Sequence, residues 1–173
     1  FDPEIAHLQI ESWVEELQPD LVIGESLGSL HALRIPDIPS LFVSPALNAP
    51  IYFQLMAWLS LIPGMTWMFD RIYKPKDGDR QSLHFTFSLL RKYLSHRKAA
   101  ISACDNPSAF TRRIHAFFGT EDHYRRSGVV SIKTWKKHFG DTFSTYKGTH
   151  FMEEEYIISA LIPCICNVLS IKK

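Results

Sequence analysis

The 173-residue sequence contains few cysteines and almost no net charge. Its three cysteines include no CxxC pair, and Cys164 and Cys166 are separated by a single residue, a spacing unsuited to a zinc site or a disulfide. We therefore expect these thiols to be small apolar packing groups in a reducing compartment, which favours a cytoplasmic location. Nineteen Lys and Arg against eighteen Asp and Glu leave a formal net charge of +1, so composition provides no basic surface for nucleic acid.

Several cofactor and targeting motifs are also missing. The eight histidines are dispersed, and neither HExxH nor GK[ST] occurs, so we expect no metal and no cofactor. The first residues are acidic and amphipathic, unlike a secretory signal peptide. The most apolar stretch, residues 51–69, is interrupted by Gln54, Ser60 and the Pro63–Gly64 pair. That pattern predicts a buried helix or an apolar lid, not a membrane span.

Short apolar runs alternate with helical patterns along the chain. Asp2 and Pro3 are typical of a helix start, an apolar stripe of helical spacing then extends to Leu17, and residues 18–20 should end the helix. This order predicts an α/β fold in which helices flank a parallel sheet. Strands are predicted at 21–23, 41–43, 114–118 and 142–146, and further helices at 27–33, at 129–139 with Trp135 facing inward, and from Glu153 onward.

Residues 48–110 interrupt this alternation. The segment has helical patterning, many aromatic residues and a polar turn at residues 74–80. We therefore interpret residues 1–173 as a single domain with a helical cap inserted at about 48–110. Two interpretations stay open for the aromatic and Met-rich part at 51–69: it lines a pocket for an acyl chain, or it only packs the cap onto the sheet.

The segment from Gly24 to Gly28 fits the GxSxG pattern of a nucleophile elbow, with Ser26 at its centre. A buried strand leads into it and a helix leads out, which is the context that the elbow requires. There a serine occupies a strained turn, and the flanking glycines allow strand and helix to pass closely. The backbone N–H of Leu27 could donate to an oxyanion. The alternative is a glycine-rich turn in which Ser26 caps the helix.

Two further polar sites follow predicted strands. Asp122 comes after the strand at 114–118, and His150 comes after the strand at 142–146. Because catalytic groups in parallel sheets gather at the carboxyl ends of the strands, we expect both side chains near Ser26. The chain order Ser, Asp, His is the order of the α/β-hydrolase triad. The alternatives are a helix cap for Asp122 and a loop histidine for His150.

From residue 20 to the C-terminus the sequence resembles the α/β-hydrolase superfamily. Within it, the segments 20–29, 44–50 and 148–151 resemble the small bacterial YqiA-like esterases. The resemblance implies a carboxylesterase for small or medium-chain esters that forms an acyl-enzyme. It makes Ser26 the nucleophile, His150 the base and Asp122 the group that orients His150. Glu121 stands one position early for that third role. Thioesterase and acyltransferase activities use the same triad and stay open.

Part of the family pattern is missing. The sequence begins with the helix before the elbow strand, so the strands that precede it in the family are missing, and it has no His-Gly motif to supply a second oxyanion donor. The strand at 21–23 should therefore be a sheet edge. Three explanations stay open. The chain, which begins at Phe1 without a starting Met, is a C-terminal piece of a longer hydrolase; or a partner or a second copy supplies the missing half of the sheet; or the chain is a shortened homologue. A non-catalytic binding protein is the alternative from another class.

Overall fold

The computed structural model describes residues 2–35, 37–72, 85–104 and 114–170. In this part of the chain four parallel strands form one sheet, and each strand pairs with the next in chain order. The predicted parallel sheet is confirmed, and the carboxyl ends of all four strands lie at one edge. The strands are β1 (Val22–Glu25), β2 (Ser40–Val43), β3 (Ile114–Gly119) and β4 (Phe143–Tyr146).

Helices surround the sheet, and within the described residues three helices lie between β2 and β3, where the cap was predicted. Parts of that segment, 73–84 and 105–110, lie outside the described residues, as does Pro36. No described helix combines the length and apolarity needed to cross a membrane. The helices are α1 (Pro3–Leu17), α2 (Ser29–Ala32), α3 (Ala49–Leu59), α4 (Met65–Ile72), α5 (Phe87–Ser102), α6 (His123–Ser127), α7 (Ile132–Phe139), α8 (Glu154–Tyr156), a π-helical stretch (Ile157–Leu161) and α9 (Ile162–Ser170).

The ends of α1 follow the sequence signals. The Asp2 side chain accepts a hydrogen bond from the backbone N–H of Glu4, and Pro3 occupies the first helical position. Gln18 ends the helix in the left-handed conformation, with φ at 45°. These residues therefore determine where α1 begins and ends, as predicted.

The two central strands, β2 and β3, are covered on both faces, which explains their largely apolar sequences. Alternate residues of a strand point to opposite faces, so Phe42 of β2 joins one core while its neighbours Leu41 and Val43 join the other. The first core centres on Trp135 of α7, fully buried as predicted. Its ring centroid lies 5.2 Å from that of Phe42.

Among the described strands β1 lies at one edge of the sheet, as predicted, and β4 lies at the other. Ile23 of β1 is exposed. The apolar stripe of α1 is exposed as well, so the usual inference that such a stripe faces the core is wrong here. The residues of α1 that are buried are Pro3 and His7. The exposed residues of the stripe are Ile5, Leu8, Trp13 and Leu17.

Three histidines attach α1 to the body of the domain. His7 of α1, His31 of α2 and His96 of α5 have ring centroids 4.4–5.7 Å apart. Arg34 donates to His96 Nδ1 and makes an ion pair with Glu4 of α1. Burial lowers the pKa of His31 and of His96 to about 4. The three histidines are therefore uncharged at neutral pH. Among the described residues, no three His, Cys, Asp or Glu side chains are arranged to hold a metal ion.

We predict that this cluster makes the fold sensitive to acid. In the unfolded chain histidine titrates near 6.5, so between pH 6.5 and 4 the unfolded state binds more protons and the free energy of unfolding falls. A pKa of about 4 corresponds to a loss of roughly 3 kcal/mol per histidine at most. Urea denaturation at several pH values in this range gives the free energy of unfolding as a function of pH. That free energy should fall less steeply with decreasing pH for His31→Gln than for the parent protein.

The matched control is His123→Gln, because His123 is exposed at the surface. Its pH dependence should follow that of the parent. Equal slopes for all three proteins would contradict the assignment of the acid sensitivity to the cluster.

Candidate active site

A strained turn between β1 and α2 presents Ser26. Its φ of 50° lies in the left-handed region, which costs a non-glycine residue about 1–2 kcal/mol. Two backbone contacts hold the turn: Ala46 N–H donates to the Ser26 carbonyl at 3.0 Å, and Ser29 Oγ donates to the Gly24 carbonyl at 3.1 Å. This geometry lifts the Ser26 hydroxyl above the end of the strand, as an elbow does.

The two glycines of the elbow differ in role. A Cβ on Gly24 would lie 2.8 Å from the Ala32 Cβ and 2.9 Å from the Ser29 Cα, so only glycine lets α2 pack on β1. A Cβ on Gly28 would meet nothing within 4 Å. The expectation that both glycines permit close packing is thus confirmed for Gly24 and wrong for Gly28.

The ends of β3 and β4 approach each other closely. Thr120 N–H donates to the Tyr146 carbonyl at 2.8 Å, and Glu121 N–H donates to the Gly148 carbonyl at 2.9 Å. A Cβ on Gly119 would lie only 2.2 Å from the Thr149 carbonyl oxygen. A glycine at the end of β3 therefore allows the loop of Asp122 and the loop of His150 to run side by side.

Asp122, His150 and Ser26 form a continuous chain of hydrogen bonds. His150 Nδ1 lies 2.9 Å from Asp122 Oδ2, and His150 Nε2 lies 2.8 Å from Ser26 Oγ. With the proton on Nδ1, His150 donates to the Asp122 carboxylate and accepts from the serine hydroxyl. Asp122 and His150 are both buried. The structure thus brings together the three side chains that the sequence placed at this edge.

A second set of contacts fixes Asp122, and the neighbouring acid lies elsewhere. Asp122 caps α6, and its Oδ1 accepts from the Tyr124 N–H at 2.8 Å. Its two oxygens therefore serve different partners, one on α6 and one on His150. Glu121 is exposed. The capping role, considered above as an alternative, coexists with the contact to His150.

A pocket of about 390 Å³ opens beside Ser26 and His150. Leu27 lines it directly after the serine, and its role as an oxyanion donor stays a prediction. Most of the wall is apolar, which suits a ligand with a hydrocarbon part. The other lining residues are Ala46, Ala49, Tyr52, Phe53, Met56, Tyr124, Val129 and Phe151.

Tyr52, Phe53 and Met56 line the pocket, which agrees with one of the two interpretations of residues 51–69, whereas Tyr124 and Phe151 were missed as site residues. Tyr124 lies with its ring centroid 4.6 Å from that of His150, and Phe151 lies at 5.2 Å. Tyr52 of α3 donates a hydrogen bond to the Ser127 carbonyl, which connects α3 to α6. Adjacency to the polar residues was the available signal for Tyr124 and Phe151.

Comparison with known proteins identifies the fold. No protein-family model and no curated protein matches the chain. Among solved structures it is similar to the monoacylglycerol lipase of Paleococcus ferrophilus, with 18% identity and a TM-score of 0.58 over 98% of this chain and 76% of that one. It is also similar to a Nitrososphaera gargenis structure from work on carboxylesterases, with 11% identity and a TM-score of 0.52 over 98% and 74%. The chain has an α/β-hydrolase fold.

We predict opposite effects on stability for the two elbow glycines. Gly24→Ala should lower the free energy of unfolding by about 1–3 kcal/mol, because its methyl group overlaps α2. Gly28→Ala should be neutral or stabilising by up to about 1 kcal/mol, because Gly28 has helical dihedral angles and open space around it. Urea denaturation measures both, and equal losses would contradict the packing argument.

Proposed function

We propose that this protein is a serine hydrolase that cleaves carboxylic esters of small or medium chain length. The observation that carries the proposal is the hydrogen-bond chain from Asp122 through His150 to Ser26, at the mouth of an apolar pocket. The structural neighbours, a lipase and a structure from work on carboxylesterases, support an ester substrate. A YqiA-like type is a finer prediction that rests on the sequence resemblance alone.

The proposed reaction follows from the positions of the donors and acceptors. Ser26 Oγ attacks the ester carbonyl carbon while His150 Nε2 takes the hydroxyl proton. The carbonyl oxygen becomes an oxyanion, for which the Leu27 N–H is the candidate donor. When the ester C–O bond breaks, His150 returns the proton to the leaving alcohol, and Ser26 carries the acyl group.

Hydrolysis of the acyl-enzyme repeats these steps with water. His150 takes a proton from the water as its oxygen attacks the acyl carbon, and then protonates Ser26 Oγ as the acid leaves. Asp122 stays ionised throughout and stabilises the positively charged imidazole. Its second contact, to the backbone of Tyr124, keeps the carboxylate aimed at His150. We also propose that α3, α4 and α5 form the cap insertion of this single domain, with α3 lining the pocket and α5 joining the cap to the core of the sheet.

We predict covalent labelling of Ser26 by a fluorophosphonate. The reagent phosphonylates a serine whose proton can be taken by a neighbouring base, so intact-mass analysis should show one adduct on the parent. Ser26→Ala should show none. Ser159→Ala is the matched control and should acquire the same adduct as the parent, because Ser159 is an exposed serine outside the pocket whose hydroxyl bonds the Glu155 carbonyl. A folded parent that acquires no adduct would overturn the proposal for this chain.

We further predict that Asp122 and Glu121 differ sharply in their effect on ester hydrolysis. Asp122→Asn should lower kcat by about 10⁴-fold, because an amide favours the wrong tautomer of His150. Glu121→Gln should leave kcat within about twofold, because Glu121 is exposed. Steady-state hydrolysis of a chromogenic ester distinguishes the two. The reverse result would transfer the orienting role to Glu121.

A further inference from the structure

Helices α3 and α4 present a large apolar surface that the proposed chemistry does not use. No Asp, Glu, Lys or Arg occurs between residues 49 and 69. Leu55 is 66% exposed, Trp58 59% and Trp67 64%, although most soluble domains bury such side chains. An exposed patch of this kind marks an interaction site. We call it the cap surface and define it by Ile51, Leu55, Trp58, Leu61, Ile62 and Trp67.

The cap surface is a fixed feature of α3, since the rest of that helix is packed. Ala57 is fully buried. Phe53 packs on Tyr93 of α5 with ring centroids 5.1 Å apart, and Gln54 donates to the Leu90 carbonyl at 3.3 Å. The outward residues Ile51, Leu55 and Trp58 follow helical spacing and form one stripe, and Trp58 also packs edge-on against Phe87 of α5 with ring centroids 5.4 Å apart. Turning them inward would break the contacts with α5.

The cap surface is continuous with the mouth of the pocket. Tyr52, which lines the pocket, is 45% exposed and stands on α3 next to Ile51. Tyr124 and Phe151 also line the pocket and are exposed. Three aromatic residues therefore stand at the mouth beside Ser26 and His150. Aromatic side chains of this kind favour the boundary between water and hydrocarbon.

We propose that the cap surface docks on a lipid layer and that the substrate is an amphiphilic ester taken from that layer into the pocket. The docking part of this proposal depends on the exposed residues alone, whereas the substrate part rests on the proposed ester hydrolysis. Hydrocarbon excludes charge and unpaired backbone groups. The six side chains of the cap surface are uncharged, and most of its backbone lies within α3 and α4. Arg71, near the end of α4, lies over the Trp67 ring with its Cζ 5.3 Å from the ring centroid, so this end of the surface would stand at the headgroup level, where a guanidinium stays in contact with water. Trp58 and Trp67 suit the headgroup boundary.

Access to the pocket favours a lipid layer over a folded protein partner. A protein seated on the cap surface and on Tyr52 would cover the mouth and hinder substrate entry. A fluid layer covers the same residues and also supplies the substrate. The ester group of an amphiphile lies near the headgroup boundary, which is where the mouth would then stand. The hydrocarbon part fits the apolar wall of the pocket.

The binding test uses Ser26→Ala protein, so that its result is independent of catalysis. Co-sedimentation with phosphatidylcholine vesicles should show binding, and adding Leu55→Glu with Leu61→Glu should weaken it at least tenfold. The matched control adds Leu8→Glu with Leu17→Glu on α1, equally exposed leucines outside the cap surface, and should bind normally. Circular dichroism and thermal melting confirm that each protein is folded. Absent binding, or equal loss in both pairs, would overturn the proposal.

The activity test uses the same surface variants in protein that retains Ser26, and it compares two ester substrates. The Leu55→Glu/Leu61→Glu variant should hydrolyse the water-soluble p-nitrophenyl acetate as the parent does, and a monoacyl ester held in vesicles at least tenfold more slowly. Equal rates on the vesicle ester would overturn delivery from the layer. Failure of every protein on both esters, with vesicle binding intact, would reject the proposed hydrolysis and leave the docking part supported.

Light scattering addresses the other occupant of this surface, a second copy of the chain. If the parent is a dimer that Leu55→Glu/Leu61→Glu dissociates, and vesicles do not bind it, then the cap surface is a dimer interface and the proposal is overturned. A parent whose mass is unchanged by these substitutions, and which binds vesicles, supports the lipid layer.

Discussion

Parallel pairing of the strands is the constraint on which the site depends. Ser26, Asp122 and His150 follow β1, β3 and β4, so they are distant in sequence and meet because three carboxyl ends share one edge. The spacing between strands then limits what each loop can do. A Cβ at Gly24 would push α2 away from β1, and a Cβ at Gly119 would push the His150 loop away from β3. Glycine at these two positions therefore allows the close approach. The hydrogen bonds follow from that approach.

The strained and buried parts of the site are held by contacts that belong to the fold. The φ of Ser26 is unfavourable for a serine, and hydrogen bonds from Ala46 and Ser29 on either side of the turn offset the cost. Asp122 is buried, which is costly for a carboxylate, and its oxygens meet the Tyr124 N–H and His150. A buried acid with both partners in place has little freedom to turn. The site is therefore rigid before any ligand arrives.

Much of this arrangement could be predicted from the sequence. The strands at β2 and β3 are buried on both faces, so their apolar runs are unambiguous. The GxSxG pattern and the order Ser, Asp, His carry their own structural context, so Ser26, Asp122 and His150 were placed correctly at the sheet edge. The caps at Asp2 and Gln18 were equally readable, because a cap is decided by residues within one turn.

What could not be predicted is which apolar surface meets which neighbour. The stripe of α1 and the aromatic stretch of α3 both resemble core helices, yet Leu8 and Leu55 are exposed. Periodicity reports that a helix has an apolar side; whether another element covers that side depends on the rest of the fold. The cysteines illustrate the same point, since Cys104 is buried as expected and Cys166 is exposed. The histidine cluster is a further case, because the two histidines next to His31 come from helices distant in the chain and no local pattern brings them together.

Some apolar residues are closely packed, whereas others line an open pocket or face solvent, and this difference connects stability with the proposed activity. Around Trp135 they fill a close-packed core, and around the pocket they leave about 390 Å³ open next to Ser26. A cavity and an exposed surface both forgo hydrophobic stabilisation that packing would supply. The chain accepts this loss along one continuous path, from the cap surface through Tyr52 to the serine. The stripe of α1 forgoes stabilisation as well, but it does not line the pocket. The path through Tyr52 differs because it ends at the nucleophile, and the proposed hydrolysis of amphiphilic esters requires such an apolar route.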